Sequence, residues 1–317
     1  MERSGVMTSL PAITAVIPAY HSGDRIGTAI RSVLAQPGVE ARIVVVVDDQ
    51  TAATVTAASG FGPAVSVVAN DINLGSAVSR NVGLQRVETP FVIFLDSDDW
   101  VEGPLLAGLC GAIADKDADI GFGTFVNLDE KSGSRAPQPP PVGLDEAALF
   151  ERWLIGTTYV APCSVVWRTE RVRSLGGWDT QVRRGDDAEL ACRALLLGCR
   201  FATSTEGQGV YLFHESPHRV SRQTTRCGDL KAIIDKLLIL PGIVLPRPFV
   251  ERAAAQAYYE VARIAFVEGD RSTGRAALKA SRALGFTGHR GGTGARLLGY
   301  LLGLENRLRL RALLAHA

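Results

Sequence analysis

Apolar and polar positions alternate in blocks that read as strands and helices in turn. Positions 13–17 are apolar or β-branched and are closed by Pro18, which predicts a short buried strand. Ser22 is placed to cap a following helix whose inner face would be Ile26, Ile30, Val33 and Leu34, and Pro37-Gly38 would end it. Ile43, Val44, Val45, Val46 and Val47 are consecutive β-branched residues, as in a parallel strand covered on both faces. A third strand is expected over 65–68, a helix over 76–85 and a fourth strand over 91–95. This alternation predicts an α/β doubly wound sheet. Positions 130–141, rich in Pro, Ser and charge, read as a surface loop. A helix from Leu144, a strand over 164–167 and a helix over 187–197 follow. Beyond residue 228 the pattern is mainly helical and basic, which suggests a division into a catalytic domain, 1–228, and a helical C-terminal region, 229–317.

Composition narrows the function classes. The 317 residues are 46% hydrophobic and 21% charged, so a large core is expected. The net charge of +1 gives no long-range attraction to nucleic acid, and an anionic ligand must be held by local groups. Cys110, Cys163, Cys192, Cys199 and Cys227 show no CxxC spacing, which speaks against a zinc site and suits reduced thiols in a cytoplasmic protein. Neither a signal peptide nor a transmembrane stretch is read from the sequence.

In doubly wound sheets ligands bind beyond the carboxyl ends of the strands. The residues there are Pro18, Ala19 and Tyr20 after the first strand, Asp48 and Asp49 after the second, and Asp96, Ser97, Asp98 and Asp99 after the fourth. Carboxylates so placed do nothing for a core but serve a polar or cationic ligand. Three carboxylates within four residues repel one another unless a cation neutralises them. Oxygen ligands suit Mg²⁺ or Mn²⁺, and Asp96 and Asp98, alternate in an extended turn, would converge on one ion and its diphosphate partner. The plain structural alternative is a solvated acidic turn.

Five segments, in order over roughly residues 13 to 230, resemble the family 2 glycosyltransferases of GT-A fold. They are Val16-Ile17-Pro18-Ala19-Tyr20; Val46-Val47-Asp48-Asp49; Asn73-Leu74-Gly75 with Ser79-Arg80-Asn81-Val82-Gly83; Phe94-Leu95-Asp96-Ser97-Asp98-Asp99-Trp100; and Gly176-Gly177-Trp178-Asp179 with Gly185-Asp186-Asp187-Ala188-Glu189-Leu190. The chain departs from the family pattern in Gln50-Thr51, where Gly-Ser is usual, in Ser79 for Ala and in Asp186 for Glu.

The resemblance implies a GT-A-like doubly wound mixed sheet flanked by helices, with a mainly helical C-terminal extension. It implies an inverting transfer of sugar from a UDP-, GDP- or dTDP-sugar to an acceptor hydroxyl, on a sugar, lipid-linked or small-molecule acceptor, with Mn²⁺ or Mg²⁺. Pro18, Tyr20, Asp48 or Asp49, Asn73, Arg80, Asp96, Ser97 and Trp178 are then the donor-binding candidates. Tyr20 offers a ring for base stacking, a carboxylate accepts base N–H groups, and Arg80 balances the acidic cluster. Asp98, Asp96 and His214 are the metal candidates, with His218 a weaker fit than His214; Asp99 either supports that cluster or caps the next helix. An inverting displacement needs one base for the acceptor proton; Asp187 is the candidate and Asp186 the second choice, against the plain reading that both cap a helix. Arg219 and Arg222 would either clamp phosphates or form a solvated basic loop.

A sugar-phosphate nucleotidyltransferase is the nearest rival enzyme, but its Gly-rich basic loop after the first strand is replaced here by Pro18-Ala19-Tyr20-His21-Ser22-Gly23. A G-x-G-x-x-G fingerprint is missing there too, against a dinucleotide-dependent oxidoreductase. A nucleotide-sugar-binding protein without catalysis is the non-enzyme alternative, opposed by the full set of acidic groups. Leu297, Leu298, Leu301, Leu304, Leu308 and Leu310, interleaved with Arg296, Arg307, Arg309 and Arg311, form a basic amphipathic pattern. It suits packing on the catalytic domain or on a second subunit of a homodimer, which is the preferred reading, or peripheral attachment at the membrane's inner face.

Overall fold

The β-branched run at 43–47 ends strand β2 (Glu40–Val47), where those five side chains are all buried. β2 lies between β1 (Ala12–Ala19) and β3 (Val65–Ala69), parallel to both, and β1 pairs on its other side with β4 (Phe91–Phe94), again parallel. This computed structural model describes residues 10–49, 52–215, 226–289 and 292–315, with the backbone alone for 226 and 309–315. Gln50, Thr51, His218, Arg219 and Arg222 lie outside the described residues.

The remaining elements of the first half are α1 (Ile26–Leu34), α2 (Ala52–Ser59), α3 (Ser76–Leu84), β5 (Trp100–Glu102), α4 (Leu105–Lys116), β6 (Ile120–Phe122), β7 (Phe125–Asp129) and β8 (Arg135–Gln138). Then come α5 (Glu146–Leu154), β9 (Val165–Arg168), α6 (Thr169–Ser174), α7 (Asp186–Leu196), β10 (Phe201–Thr203) and β11 (Gln208–Phe213). The main sheet has the order β10-β6-β9-β4-β1-β2-β3, with β9 antiparallel to both its neighbours. A second sheet runs β5-β11-β7-β8. The chain builds outward from β1 through β2 to β3 and then returns to pair β4 on β1's other edge. That reversal makes the carboxyl ends of β1 and β4 the switch point at which doubly wound sheets bind ligands.

Several expectations need correction. Ser22 does not cap α1 with its side chain: the helix starts at Ile26, and only the Ser22 carbonyl accepts, from the amides of Arg25 and Ile26. Leu34 is exposed, because α1's buried face is Ile26, Ala29, Ile30 and Val33. The expected loop at 130–141 contains β8, an all-exposed edge strand paired with β7. At an edge Pro137 costs no ladder bond that a neighbour needs, so polar, Pro-bearing sequence hides a strand. Helix α2 (AATVTAAS) was not expected, since small residues and threonines give it little apolar periodicity.

The C-terminal helices are α8 (Arg226–Leu238), α9 (Arg247–Glu268), α10 (Arg271–Ala283) and α11 (Thr293–Ala315). The described residues fall into two compact units. One lies within Met1–Glu146, Val160–Gln181 and Cys199–His218, the other within Ala147–Tyr159, Val182–Gly198 and Arg219–Ala317. Most of α5 and all of α7 therefore group with the helical unit, a different division from a single cut after residue 228.

The helical unit is built on α9, whose buried Ala254, Ala257, Tyr258, Val261, Ala262 and Ala265 recur at helical spacing; small residues there let neighbouring helices approach closely. α11 breaks at Gly303, where φ is 75°. Beyond the break Leu304 is buried in this core and Leu308 packs against it. The leucines of α11 thus pack in part, and they do so on the helical unit's own core. Among the described residues no helix is long and apolar enough to cross a membrane.

Candidate active site

The residues at the strand ends of the first unit are positioned by close helix–sheet packing. A Cβ on Gly83 of α3 would fall 2.3 Å from Cγ1 of Val16, so only glycine lets α3 lie this near β1. One turn earlier on that helix, Arg80 is buried and reaches back to the fourth strand's acidic turn. Its Nη2 donates to Asp96 Oδ1 at 2.6 Å, and its guanidinium lies 4.3 Å from the centre of the Trp178 ring. Trp178 is in turn pinned to α3 by Asn81: its amide donates to Asn81 Oδ1 at 2.8 Å and its carbonyl accepts from Asn81 Nδ2 at 2.8 Å. Its ring meets Phe94 edge to face at 5.0 Å. The Gly176-Gly177 turn that makes this possible has positive φ at both glycines, and a Cβ on Gly177 would strike Asn81 Oδ1.

Each remaining carboxylate of the strand ends has a definite partner. Asp48 accepts from Asn70 Nδ2 (2.8 Å) and Leu74 N (2.9 Å) on Oδ1, and from Gly75 N (2.7 Å) on Oδ2. It therefore shapes the 70–75 loop that carries Asn73 and leads into α3. Asp49 Oδ2 accepts from His21 N at 2.5 Å and from Thr54 Oγ1 at 2.9 Å, fixing the backbone beside Tyr20. Tyr20 itself is exposed, with its ring edge-on to His21 at 4.2 Å. Ser97 Oγ shares a 2.7 Å hydrogen bond with Ser22 Oγ, tying the acidic turn to the end of β1, where Pro18 lies.

Asp98 and His214 meet directly: Oδ2 and Nε2 are 2.7 Å apart. The strand that leads into His214 is held by Asp99, which is buried and accepts from Leu212 N at 2.9 Å. Asp99 does not cap the next helix, since α4 begins at Leu105 with Pro104 before it. The field here is strongly negative. Burial pushes the Cys163 thiol up, and the charges of Asp99, Asp96 and Asp98 push it further.

The chemistry of this donor set fits a hard divalent ion. Asp98 and His214 offer one carboxylate and one imidazole side by side, and Asp96 stands next along the turn on Arg80. Among the described residues no group of three or more His, Cys, Asp or Glu side chains converges. A shell begun by two protein ligands and completed by phosphate oxygens and water is the usual arrangement for Mg²⁺ in nucleotide sites.

In the second unit, α7 opens with Asp186 and Asp187 behind Gly185, which has φ of 75° and supplies no side-chain cap. The two acids occupy the first helical positions, where the helix dipole favours their charged form. Two turns of α7 are locked by an ion pair that sequence reasoning missed: Glu189 accepts from Arg193 Nε (2.7 Å) and Nη2 (2.8 Å), both side chains being nearly inaccessible. The i,i+4 spacing of Glu and Arg was its signal.

Comparison with known proteins accords with this geometry. Residues 14–169 match the family model described as Glycosyl transferase family 2. Among relatives, the succinoglycan biosynthesis protein ExoO of Rhizobium meliloti (strain 1021) is 31% identical over 238 residues, covering 71% of this chain and 66% of that protein. The pre-mycofactocin glycosyltransferase of Mycobacterium tuberculosis is 28% identical over 198 residues, covering 59% of this chain and 40% of that protein. Among solved structures, S. aureus TarS 1-349 in complex with UDP-GlcNAc superposes with a TM-score of 0.64 at 16% identity, over 86% of this chain and 92% of that one. The mannosyltransferase PcManGT from Pyrobaculum calidifontis, in complex with GDP-Man and Mn2+, gives 0.60 at 18% identity over 96% and 87%. The fold is the mixed, helix-flanked sheet of the GT-A glycosyltransferases with a helical C-terminal region.

Proposed function

We propose, from the premise that the chain belongs to glycosyl transferase family 2, that it moves a sugar from a nucleotide-diphosphate donor to an acceptor hydroxyl with inversion at the anomeric carbon. The observation that carries the reading is the meeting of Asp98 with His214 beside the Arg80–Asp96 pair, at the switch point of the sheet.

Asp98 and His214 would hold Mn²⁺ or Mg²⁺, with Asp96 adjacent; the ion, when bound, offsets the charge that grows on the departing diphosphate. Two structural neighbours were solved with a nucleotide sugar, one of them with Mn²⁺, in support of this assignment. Tyr20 stacks on the base beside Pro18. Asp48 or Asp49 makes the base contact, and Asp48, whose oxygens accept from the 70–75 loop, also places Asn73. Arg80 orients Asp96 toward the ribose, Ser97 fixes the turn, and Trp178 backs the guanidinium. Asp187 takes the acceptor hydroxyl's proton on a carboxylate oxygen, with Asp186 as its neighbour in the first turn of α7.

The donor reaction is assigned to residues 1–228, with 229–317 a helical appendage. A polysaccharide, glycolipid or natural-product acceptor suits the relatives, of whose lengths this chain spans 66% and 40%. The five buried free thiols suit a reducing compartment, and we place the reaction in the cytoplasm.

The test is calorimetry of UDP, GDP and dTDP with Mn²⁺ present, followed by hydrolysis of the matching nucleotide sugars. One nucleotide should bind and raise the melting temperature, and Arg80→Ala should weaken it. Absence of binding across all three would overturn the assignment.

A further inference from the structure

We propose that the first half of α11 is a membrane-contact surface that lies on an anionic lipid bilayer. The inference rests on the helical unit alone and is independent of the transfer reaction. Before the break at Gly303, α11 shows solvent five large apolar side chains within six positions: Leu297, Leu298, Tyr300, Leu301 and Leu302, with Leu301 71% exposed. At helical spacing these five sweep one broad face. The opposite side is turned inward at Gly299, where an added Cβ would strike the His289 ring. A soluble helix would show the reverse pattern, with apolar residues inward and charge outward.

Charge selects the occupant. Residues 271–317 contain nine Arg or Lys against the single acid Glu305, a net charge of +8, so with +1 for the whole chain the first 270 residues carry −7. Arg296 is exposed at the edge of the leucine face, and Lys279 is exposed on α10. Two copies of the chain meeting face to face here would bring together two segments of net charge +8, which repel. A bilayer carrying anionic headgroups accepts both features, the leucines into the acyl boundary and the cations against the phosphates. Tyr300, apolar in its ring and polar at its tip, suits the headgroup level.

Sedimentation of the full chain with phosphatidylcholine vesicles, and with mixed phosphatidylcholine–phosphatidylglycerol vesicles, tests the proposal. The chain should pellet with the mixed vesicles, be released by high salt, and stay in solution with phosphatidylcholine alone. The double variant Leu297→Glu/Leu301→Glu, on exposed positions, should bind the mixed vesicles at least about tenfold more weakly. Its melting temperature and its nucleotide binding should be unchanged. Lack of binding to the anionic vesicles at low salt overturns the proposal. So does equal, salt-insensitive binding to both vesicle types, or a stable dimer in solution that the double variant converts to monomer.

Discussion

His214 Nε2 sits 2.7 Å from Asp98 Oδ2, although 116 positions separate them in the chain. The acidic turn after β4 and the end of β11 are brought together by Asp99, which holds Leu212 two residues before His214. On the proposed function, the pair would be the protein's share of a divalent-ion site. Asp98→Ala is therefore expected to abolish sugar transfer while leaving the melting temperature close to wild type. His214→Ala should raise the Mn²⁺ concentration needed for half-maximal activity, read from a metal titration of the initial rate. Undiminished turnover in excess EDTA would remove the metal from the mechanism.

The general base is expected on α7. Asp187→Asn keeps size and much of the polarity at the helix start but cannot take a proton. It should lower transfer by about 10²- to 10⁴-fold with donor binding nearly intact. Asp186→Asn serves as control and should be milder. Rate measurements at saturating donor decide it: if the milder variant is Asp187→Asn, the two roles are exchanged, and if both variants match wild type the base lies elsewhere.

Gly177 has φ of 71° and would place a Cβ 2.4 Å from Asn81 Oδ1, the atom that accepts from the Trp178 amide. Gly177→Ala should cost about 1–3 kcal/mol of stability, through backbone strain together with the displaced Asn81. Because Trp178 stacks on Arg80, the same variant should also weaken nucleotide binding. Urea unfolding and calorimetry read the two effects separately; a variant as stable as wild type would show that the turn relaxes freely.

Acid should destabilise the helical unit through His289. Burial holds its pKa below the ordinary value of 6.5, and Arg282 and Arg307 lower it further. Tyr259 and Tyr300 pack around the ring. With the folded value depressed, the unfolded chain binds the extra proton first as pH falls below about 6.5. The stability is thus complete above that pH and is lost progressively as pH falls through the folded value. Melting temperature should drop between neutral pH and this lower range, and His289→Gln should flatten the His289 part of that slope. An unchanged slope in the variant would assign the pH dependence to other groups.

The order β1, α1, β2, β3, α3, β4 was legible because each element carries its own period: five β-branched residues for a strand buried on both faces, and Ile26, Ile30 and Val33 for one face of a helix. The candidate residues were legible as well, since a doubly wound sheet sends ligands to the ends of its strands and acids cluster there. Short strands such as β5, β6 and β10 are three residues long and carry no period to detect. β8 is a strand only because β7 pairs with it.

Local pattern reports which faces are apolar and which residues stand after a strand, because both follow from spacing along the chain. It does not report which carboxylate oxygen meets which donor. Asp48 and Asp49 are adjacent and chemically identical, yet one holds the 70–75 loop and the other the backbone at His21 and the hydroxyl of Thr54. The pairing of Arg80 with Asp96 and Trp178, and of Asp98 with His214, was decided by tertiary structure alone. These contacts join segments distant in sequence, and their geometry depends on how closely Gly83 lets α3 approach the sheet and on where Asp99 holds β11.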